Sequence, residues 1–293
     1  MIKTPFRLAV INDEVSEDFD RACHVIAVDL GLEWIELREL WGKNILNLNR
    51  EEIAEAKRIL AKYRLRVTNI ASPLFKTDWP GAPLSLFSPK RDNFGAHFTF
   101  EQQDEVLERC IDLTRAFSTQ HLRCFDFWRL EDPGLWREAM NNKLREAAET
   151  CAKHSVVLLL ETEMACNTAT GEEAAQVLAA IQNENFMLVW DPANAAAAGE
   201  TPYPNGYDQL PAQRIGHCHC KCILRKPNGQ FEWAKVGTGV VDWTEQIRAL
   251  MRQNYRGGFS LEAHWRGAGT AEASTRQSFD GMMAALRSGG AVS

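Results

Sequence analysis

The stretch SVVLLLE, residues 155–161, is an almost unbroken apolar run that ends in a carboxylate. A run of this kind is typical of a parallel β-strand that is buried on both faces. Similar short runs alternate with longer amphipathic stretches from one end of the chain to the other. They predict eight strands, over residues 6–11, 34–37, 66–71, 121–125, 155–161, 186–190, 214–219 and 258–262. Helices are predicted over residues 16–30, 49–63, 100–117, 134–154, 171–182, 243–253 and 271–287, with Ser16 and Asn49 as the caps of the first two.

Eight strands that alternate with helices in 293 residues favour an α/β fold, a single (β/α)8 or TIM barrel. The alternative, an open doubly wound sheet, would require a glycine fingerprint after the first strand, and the turn there, INDEVSED, contains no glycine. Because no linker or repeat divides the chain, residues 1–293 are expected to form one domain with a flexible tail after about residue 288. The segment 76–97 is long for a loop and is predicted to be either a lid or an insertion without a role.

The charge and composition of the chain argue against several classes of protein. A net charge of −6 and a pI of about 5.7 disfavour a protein that binds nucleic acid. No apolar run reaches the roughly 18 residues of a membrane span, and MIKTPFRLAVINDE does not resemble a secretory signal. Eight irregularly spaced cysteines indicate reduced thiols rather than a disulfide framework. A soluble, cytoplasmic protein without nucleic-acid or membrane partners is therefore expected.

Acidic or imidazole side chains stand at the ends of four consecutive predicted strands. Glu161 ends the fifth strand and Asp191 the sixth, and His219 and Glu262 end the seventh and eighth. The carboxyl ends of barrel strands lie on one rim, where active sites are found. Buried carboxylates need a partner, and three of them beside an imidazole would repel one another without a cation. The pattern therefore predicts a divalent-metal site for Mn²⁺, Mg²⁺, Co²⁺ or Zn²⁺.

Side chains alternate between the two faces of a strand, and this alternation predicts which neighbours of these residues face the barrel interior. In IGHCHCKC, residues 215–222, it puts both histidines on one side and three cysteines on the other. We interpret the histidine side as the barrel interior, which makes the cysteines core residues and disfavours a Cys-x-Cys-x-Cys zinc site. His217, one pleat below His219, is expected to support the site or to lie in the core. Glu163 shares the parity of Glu161 and is its rival as a ligand, although Glu161 directly ends the apolar run.

Five short motifs in the second half of the chain resemble those of a known family. They are LLLE (158–161), WDPAN (190–194), HCHCK (217–221), VGTGVVDW (236–243) and FSLEAH (259–264). In this order and spacing they resemble the sugar phosphate isomerase/epimerase family of xylose isomerase-like TIM barrels. That family includes hydroxypyruvate isomerases, tagatose-type 3-epimerases and inosose dehydratases. The resemblance covers nearly the whole chain and does not specify a substrate.

The resemblance implies that one divalent metal is bound by Glu161, Asp191, His219 and Glu262. It also implies an isomerase or epimerase of a sugar or sugar phosphate, which transfers a proton beside a carbonyl through a metal-stabilised enediolate. Glu161 and Glu262 are the predicted acid/base pair, on opposite faces of the substrate. The predicted substrate contacts are Asn194, Lys221, Arg225, Glu36 and His264. A salt bridge to Arg38 or Arg123 is the alternative role of Glu36.

Differences from related enzymes bear on the predicted activity and on the predicted number of metal ions. The related endonuclease IV enzymes bind three zinc ions through additional histidines, whereas Asn194 stands three residues after Asp191 here and the third strand ends in NIASP. This difference disfavours an abasic-site nuclease and predicts a single metal ion. Cys222 stands where many relatives have an aspartate, which weakens any transfer of that residue's role. A metal-dependent dehydratase of the inosose or dehydroshikimate type and a non-catalytic sugar-binding protein remain alternatives, and a homo-oligomer is a further expectation.

Overall fold

In the computed structural model, which describes residues 2–86 and 95–292, eight parallel strands form one sheet. The strands are β1 (Arg7–Val10), β2 (Trp34–Leu37), β3 (Arg66–Leu74), β4 (His121–Cys124), β5 (Val157–Glu161), β6 (Phe186–Trp190), β7 (Ile215–Cys220) and β8 (Gly258–Leu261). Neighbours follow chain order from β2 to β8, and β8 pairs with β1. A bridge between Ile11 and Glu36 connects the ends of β1 and β2. The sheet thus closes into the predicted barrel, and the fold class is confirmed.

Helices surround the barrel. They are α1 (Phe19–His24), α2 (Arg50–Tyr63), α3 (Gln103–Ala116), α4 (Arg137–Lys153), α5 (Gly171–Ala180), α6 (Pro192–Ala197), α7 (Trp243–Arg252) and α8 (Ala271–Ser288). The predicted cap Ser16 is wrong, because the Asp18 carboxylate accepts the Arg21 amide at 3.1 Å and α1 therefore begins at Phe19. None of the helices in the described part of the chain is long and apolar enough to cross a lipid bilayer.

Apolar side chains fill the space between strands and helices. Leu158 and Leu160 of β5 are fully buried in this core, as the SVVLLLE run predicts. Cys218 and Cys220 belong to the same core, whereas His217 and His219 of the same strand both contact Glu36 across the barrel. All eight cysteines are free and buried. The predicted alternation along β7, with cysteines outward and histidines inward, is therefore observed.

Two small antiparallel hairpins were not predicted. One pairs Glu39–Leu40 with Lys43–Asn44 after β2, and the other pairs Cys222–Arg225 with Phe231–Ala234 after β7. Both follow the carboxyl ends of their strands. They therefore lie on the side of the barrel where the predicted site is located.

Two regions were predicted to be a lid or flexible. The described part of segment 76–97 is hydrogen-bonded to the loop after β4, with Trp128 N donating to Thr77 O at 3.0 Å and Ser85 N to Arg129 O at 2.9 Å. Residues 87–94 of that segment, including Lys90 and Arg91, lie outside the described residues. After α8 the chain turns back and buries Ala291. The movement of either region stays a prediction.

Asn49→Ala is expected to lower the free energy of unfolding by about 1 kcal/mol. The Asn49 side chain accepts the Glu52 amide at 2.8 Å, and the Glu52 carboxylate accepts the Asn49 amide at 2.9 Å, so the predicted cap of α2 is a reciprocal pair. Urea denaturation followed by circular dichroism measures the change. Lys57→Ala, at an exposed position of α2, is the control and should have little effect. An unchanged stability of Asn49→Ala would contradict the prediction.

Candidate metal centre

Four ionisable side chains from consecutive strands meet at the carboxyl end of the barrel; we call them the rim cluster. Glu161 ends β5, Asp191 follows β6, His219 lies in β7 and Glu262 follows β8. His219 Nδ1 lies 3.1 Å from Glu161 Oε1 and 3.5 Å from Glu262 Oε2, and Asp191 Oδ2 lies 3.9 Å from the same nitrogen. One ligand atom of each residue lies within 4.8 Å of the others, and all four residues are buried. The structure thus brings together the four residues predicted from the strand ends.

Asp191 is oriented by the helix that follows it. Its Oδ1 caps α6 by accepting the amides of Ala193 at 3.0 Å and Asn194 at 2.9 Å, while Pro192 occupies the first helical position, where no amide proton is needed. The Thr162 hydroxyl fixes the Asp191 backbone by accepting its amide at 2.9 Å. These contacts use one carboxylate oxygen and direct the other, Oδ2, towards the rim cluster.

Two buried arginines orient the glutamates in a similar way. Arg123 Nη1 donates to Glu161 Oε2 at 2.9 Å, so that Oε1 is the oxygen that faces His219. Arg38 Nη1 donates to Glu262 Oε1 at 2.8 Å, which leaves Oε2 facing the cluster. Each glutamate therefore gives one oxygen to a guanidinium and presents the other at the barrel centre. Sequence reasoning did not assign these roles to the arginines.

Lys221 reaches into the rim cluster from the end of β7. Its Nζ donates to Glu262 Oε2 at 2.6 Å and lies 2.8 Å from Asp191 Oδ2. The neighbouring carboxylates outweigh burial and raise the pKa of Lys221 above its ordinary value, so this side chain is an ammonium ion. Of the predicted substrate contacts, Lys221 is one that the structure places directly against the cluster.

The surrounding charges keep the glutamates of the cluster ionised. Burial opposes ionisation of Glu161, but Arg123 and His219 outweigh it and lower its pKa to about 2. Burial also opposes ionisation of Glu262, yet Lys221 and other nearby cations hold its pKa well below the ordinary value. Burial raises the pKa of Asp191 to about 6 although Lys221 opposes the shift. At neutral pH the cluster therefore carries carboxylates rather than carboxylic acids.

The donor set of the rim cluster suits one divalent cation. Carboxylate oxygens together with one imidazole nitrogen are ligands that Mn²⁺, Mg²⁺, Co²⁺ and Zn²⁺ accept. In the described part of the chain, Asp191 Oδ2 is a buried acceptor that receives no hydrogen bond of good geometry, and the Lys221 ammonium lies 2.8 Å from it. A carboxylate oxygen in this position can also serve as a ligand of a metal ion. The residues thus fit the predicted metal, while its identity and number stay predictions.

His264 lies between the rim cluster and solvent. Its Nδ1 lies 3.0 Å from Glu14 Oε1 and its Nε2 lies 3.4 Å from Glu262 Oε1, while the side chain is 23% exposed. The Trp233 ring, on the hairpin after β7, packs against it with ring centroids 4.6 Å apart. This position suits the predicted contact of His264 with a substrate, which stays a prediction.

Glu36 has neither of the salt bridges proposed as its alternative role. Arg38 pairs instead with Glu262 and Glu14, and Arg123 pairs with Glu161. Glu36 Oε1 lies 3.1 Å from His219 Nε2, on the side of the imidazole ring opposite the rim cluster. The salt-bridge hypothesis was wrong because both guanidiniums are directed towards the cluster glutamates.

Two other predicted substrate contacts have their side chains engaged elsewhere. Asn194 Nδ2 donates to Thr162 O at 2.9 Å, which ties α6 to the end of β5. The Arg225 guanidinium donates to the carbonyl oxygens of Ala196 and Glu200, at the end of α6. These hydrogen bonds indicate that both residues support the architecture of the rim, and their contact with a substrate stays a prediction.

The choice between Glu161 and Glu163 leads to a testable difference in metal affinity. Glu163 lies in the loop beyond β5, where Oε1 accepts the Ala165 amide at 3.2 Å and Oε2 lies 3.6 Å from Lys76 Nζ. Glu161→Gln is therefore expected to weaken Mn²⁺ binding by at least about 100-fold, whereas Glu163→Gln should stay within about threefold of the unmodified protein. Isothermal titration calorimetry measures both. The reverse order would assign the ligand to Glu163.

Comparison with known proteins gives relatives of the whole barrel. A family model described as xylose isomerase-like TIM barrel matches residues 25–286. The 3-dehydroshikimate dehydratase of Bacillus anthracis is 26% identical over 238 residues, which is 75% of each chain. A xylose isomerase-like TIM barrel protein of Mycobacterium smegmatis, solved in complex with magnesium, has a TM-score of 0.68 at 15% identity and covers 98% of both chains. The 3-keto-D-glucoside 4-epimerase of E. coli has a TM-score of 0.67 at 16% identity, over 95% of this chain and 99% of that chain.

The relatives and the family match establish different properties of this chain. The two solved structures are so distant in sequence that they establish the fold alone. The family match spans seven of the eight barrel strands and every residue of the rim cluster. The relatives include a dehydratase and an epimerase, so enzymes are represented among them. The chain belongs to the xylose isomerase-like TIM barrel family.

Proposed function

We propose that this protein is a divalent-metal-dependent isomerase or epimerase of a sugar or sugar phosphate. The observation that carries the proposal is the rim cluster, in which three buried carboxylates and an imidazole meet at the end of the barrel where active sites of this fold lie. The reaction is a proton transfer at a carbon beside a carbonyl group.

Such a reaction needs a base that is ionised before the substrate binds. Glu161 and Glu262 meet this requirement, because nearby cations lower the pKa of both carboxyl groups. A divalent cation held by the rim cluster supplies a Lewis acid for the carbonyl and hydroxyl oxygens of the substrate. The Lys221 ammonium adds a positive charge in contact with the cluster, which would stabilise negative charge that develops on a substrate oxygen beside it.

The resting charges of the two glutamates bear on the choice between isomerase and epimerase. An epimerase removes the proton from one face of the carbon and returns one to the other face, so one of the two groups must carry a proton at the start. Both glutamates are held as carboxylates here. An aldose–ketose isomerase can move one proton between adjacent carbons with a single glutamate, and both reactions belong to the proposal.

A dehydratase is the second candidate, favoured by the similarity to the B. anthracis 3-dehydroshikimate dehydratase. In a dehydration beside a carbonyl group, a base removes the proton from the carbon next to the carbonyl, and a hydroxyl group on the adjoining carbon gains a proton and leaves as water. Lys221 is a charged donor in direct contact with the cluster and could supply that proton.

The decisive experiment incubates the protein with Mn²⁺ in deuterated water and a panel of aldoses, ketoses, inososes, their phosphates and dehydroshikimate. Proton NMR and mass spectrometry follow each substrate. Deuterium at carbon with conserved composition supports the isomerase or epimerase, and a product lighter by one water molecule supports the dehydratase. No reaction with any compound, together with sugar binding, would indicate a non-catalytic binding protein. Nicking of abasic DNA would contradict the proposal of a small-molecule substrate.

A further inference from the structure

A second buried polar group lies one pleat below the rim cluster; we call it the Glu36 group. It consists of Glu36 at the end of β2, Asn69 in β3, His217 in β7 and Ser260 in β8. All four residues are at most 1% exposed. Polar groups this deep in a barrel are costly unless they are paired, and the reaction proposed above does not use them.

The His219 ring connects the two groups. Its Nδ1 faces the rim cluster, 3.1 Å from Glu161 Oε1, and its Nε2 lies 3.1 Å from Glu36 Oε1. The carboxylate of Glu36 accepts hydrogen bonds and cannot donate them, so the proton of this contact belongs to His219 Nε2. The Glu161 carboxylate likewise only accepts, so the ring donates to both carboxylates in this structure. A cation in the rim cluster would take the place of the Nδ1 proton, while Glu36 retains the proton on Nε2, so the lone pair offered to the cation would be the one on Nδ1.

The rest of the Glu36 group holds that carboxylate in place. Asn69 Nδ2 donates to Glu36 Oε1 at 2.9 Å, and His217 Nε2 lies 2.9 Å from Glu36 Oε2. His217 Nε2 also lies 2.8 Å from Ser260 Oγ. Gly258 leaves room for the His217 ring, because a Cβ at that position would lie 2.3 Å from His217 Nδ1. Strands β2, β3, β7 and β8 thus each contribute one part of a rigid support.

We propose that Glu36 is a positioning residue that fixes the tautomer and the ring orientation of His219, so that Nδ1 is the nitrogen presented to the cation. The inference rests on the metal site of the proposed function. Carboxylates that accept the second N–H of a metal-binding histidine commonly change metal affinity by about 10- to 100-fold. Glu36 is therefore assigned to metal binding and not to the substrate contact predicted from the sequence.

Metal titration tests the inference without any substrate. Zn²⁺ affinity is measured by competition with a chromogenic chelator for the unmodified protein, Glu36→Gln, Glu36→Leu and Ser260→Ala. Glu36→Gln keeps the shape of the side chain and removes its charge, and Glu36→Leu removes the acceptor altogether. Both are expected to weaken Zn²⁺ binding by about 10- to 100-fold. Ser260→Ala removes an outer contact of the group, to His217 and not to Glu36 or His219, so its effect should be smaller, within about threefold. Ser278→Ala, which truncates a buried hydroxyl in α8 outside both groups, is the control and should leave the affinity unchanged.

Nitrogen-15 NMR of histidine-labelled, zinc-loaded protein shows which His219 nitrogen carries the proton. A purely structural role of Glu36 would not change that assignment. In the unmodified protein His219 should carry its proton on Nε2, and the glutamine and leucine variants should show altered or mixed tautomers. A proton on His219 Nδ1 of the zinc-loaded, unmodified protein would overturn the inference, even if every variant misfolds. Unchanged affinity of Glu36→Gln, or two zinc ions per chain with one lost in that variant, would also overturn it. These outcomes leave the proposed reaction standing, whereas an unmodified protein that binds no metal would contradict both.

Discussion

Glu161→Gln and Glu262→Gln are each expected to lower the exchange of the substrate's carbon-bound proton with solvent by about 100- to 10,000-fold. An amide oxygen is not basic enough to take that proton, although glutamine keeps the size of the side chain. The fold should survive, because Arg123 also donates to Ala71 O and Ser72 O, and Arg38 keeps its contacts with Asp13 and Glu14. Exchange is measured by NMR in deuterated water, with the substrate identified from the panel described above.

Glu163→Gln is the matched control for this prediction. It makes the same chemical change two residues after Glu161, in the loop beyond β5 and outside the rim cluster. Circular dichroism and thermal unfolding verify that each variant is folded. Full exchange in either cluster variant would contradict a role of that glutamate as a base. Full exchange in both would remove the proton-transfer mechanism.

Mn²⁺ is expected to raise the melting temperature of the protein by about 5 to 11 °C when it is present at about 100 times its dissociation constant. Binding to the folded state alone then contributes about 2.7 kcal/mol, and for a chain of this size each kilocalorie corresponds to roughly 2–4 °C. The reason is that a cation lowers the repulsion among the buried carboxylates of the rim cluster, which include Asp191 Oδ2, an acceptor without a hydrogen bond of good geometry. Differential scanning fluorimetry with and without EDTA measures the shift.

Asp191→Asn is the control for the thermal shift. Asparagine is as good a helix cap as aspartate, so the hydrogen bonds to Ala193 and Asn194 can be kept while the charge is lost. The shift caused by Mn²⁺ should largely disappear in this variant. An equal shift in the variant, or none in the unmodified protein, would contradict cation binding at the rim cluster.

The parts of the molecule that depend on local pattern were predictable from the sequence. Buried strands such as residues 157–161 are recognisable by their apolar residues, and a side chain that ends such a strand must lie on one rim of a barrel. The alternation along β7 then separates His219 from the neighbouring cysteines. Four such positions on four strands are sufficient to place the rim cluster, but not to establish which ion it binds.

The contacts that orient the cluster were not predictable, because they join residues far apart in the chain. Arg38 and Glu262 are separated by 224 positions, and their pairing depends on the register of strands around the closed barrel. A signal was nevertheless present for Arg123, a charged residue inside the apolar strand HLRC. The sequence also contains a signal for the hairpin after β7, because Asn228-Gly229 is a strong turn sequence between two short strands. Ser16 and Asp18 are both good caps by type, and only the path of the chain decides between them.

The Asp191 carboxylate both caps α6 and contributes to the charge of the rim cluster. Its Oδ1 holds the first amide protons of α6, and its Oδ2 faces the barrel centre. A change in the charge of this carboxyl group therefore alters the electrostatic part of the cap, even where both hydrogen bonds are kept, and with it the fraying of the helix behind it. The hydrogen-exchange rates of the Ala193 and Asn194 amides thereby become a local reporter of electrostatics at the barrel mouth, which can be read without a substrate.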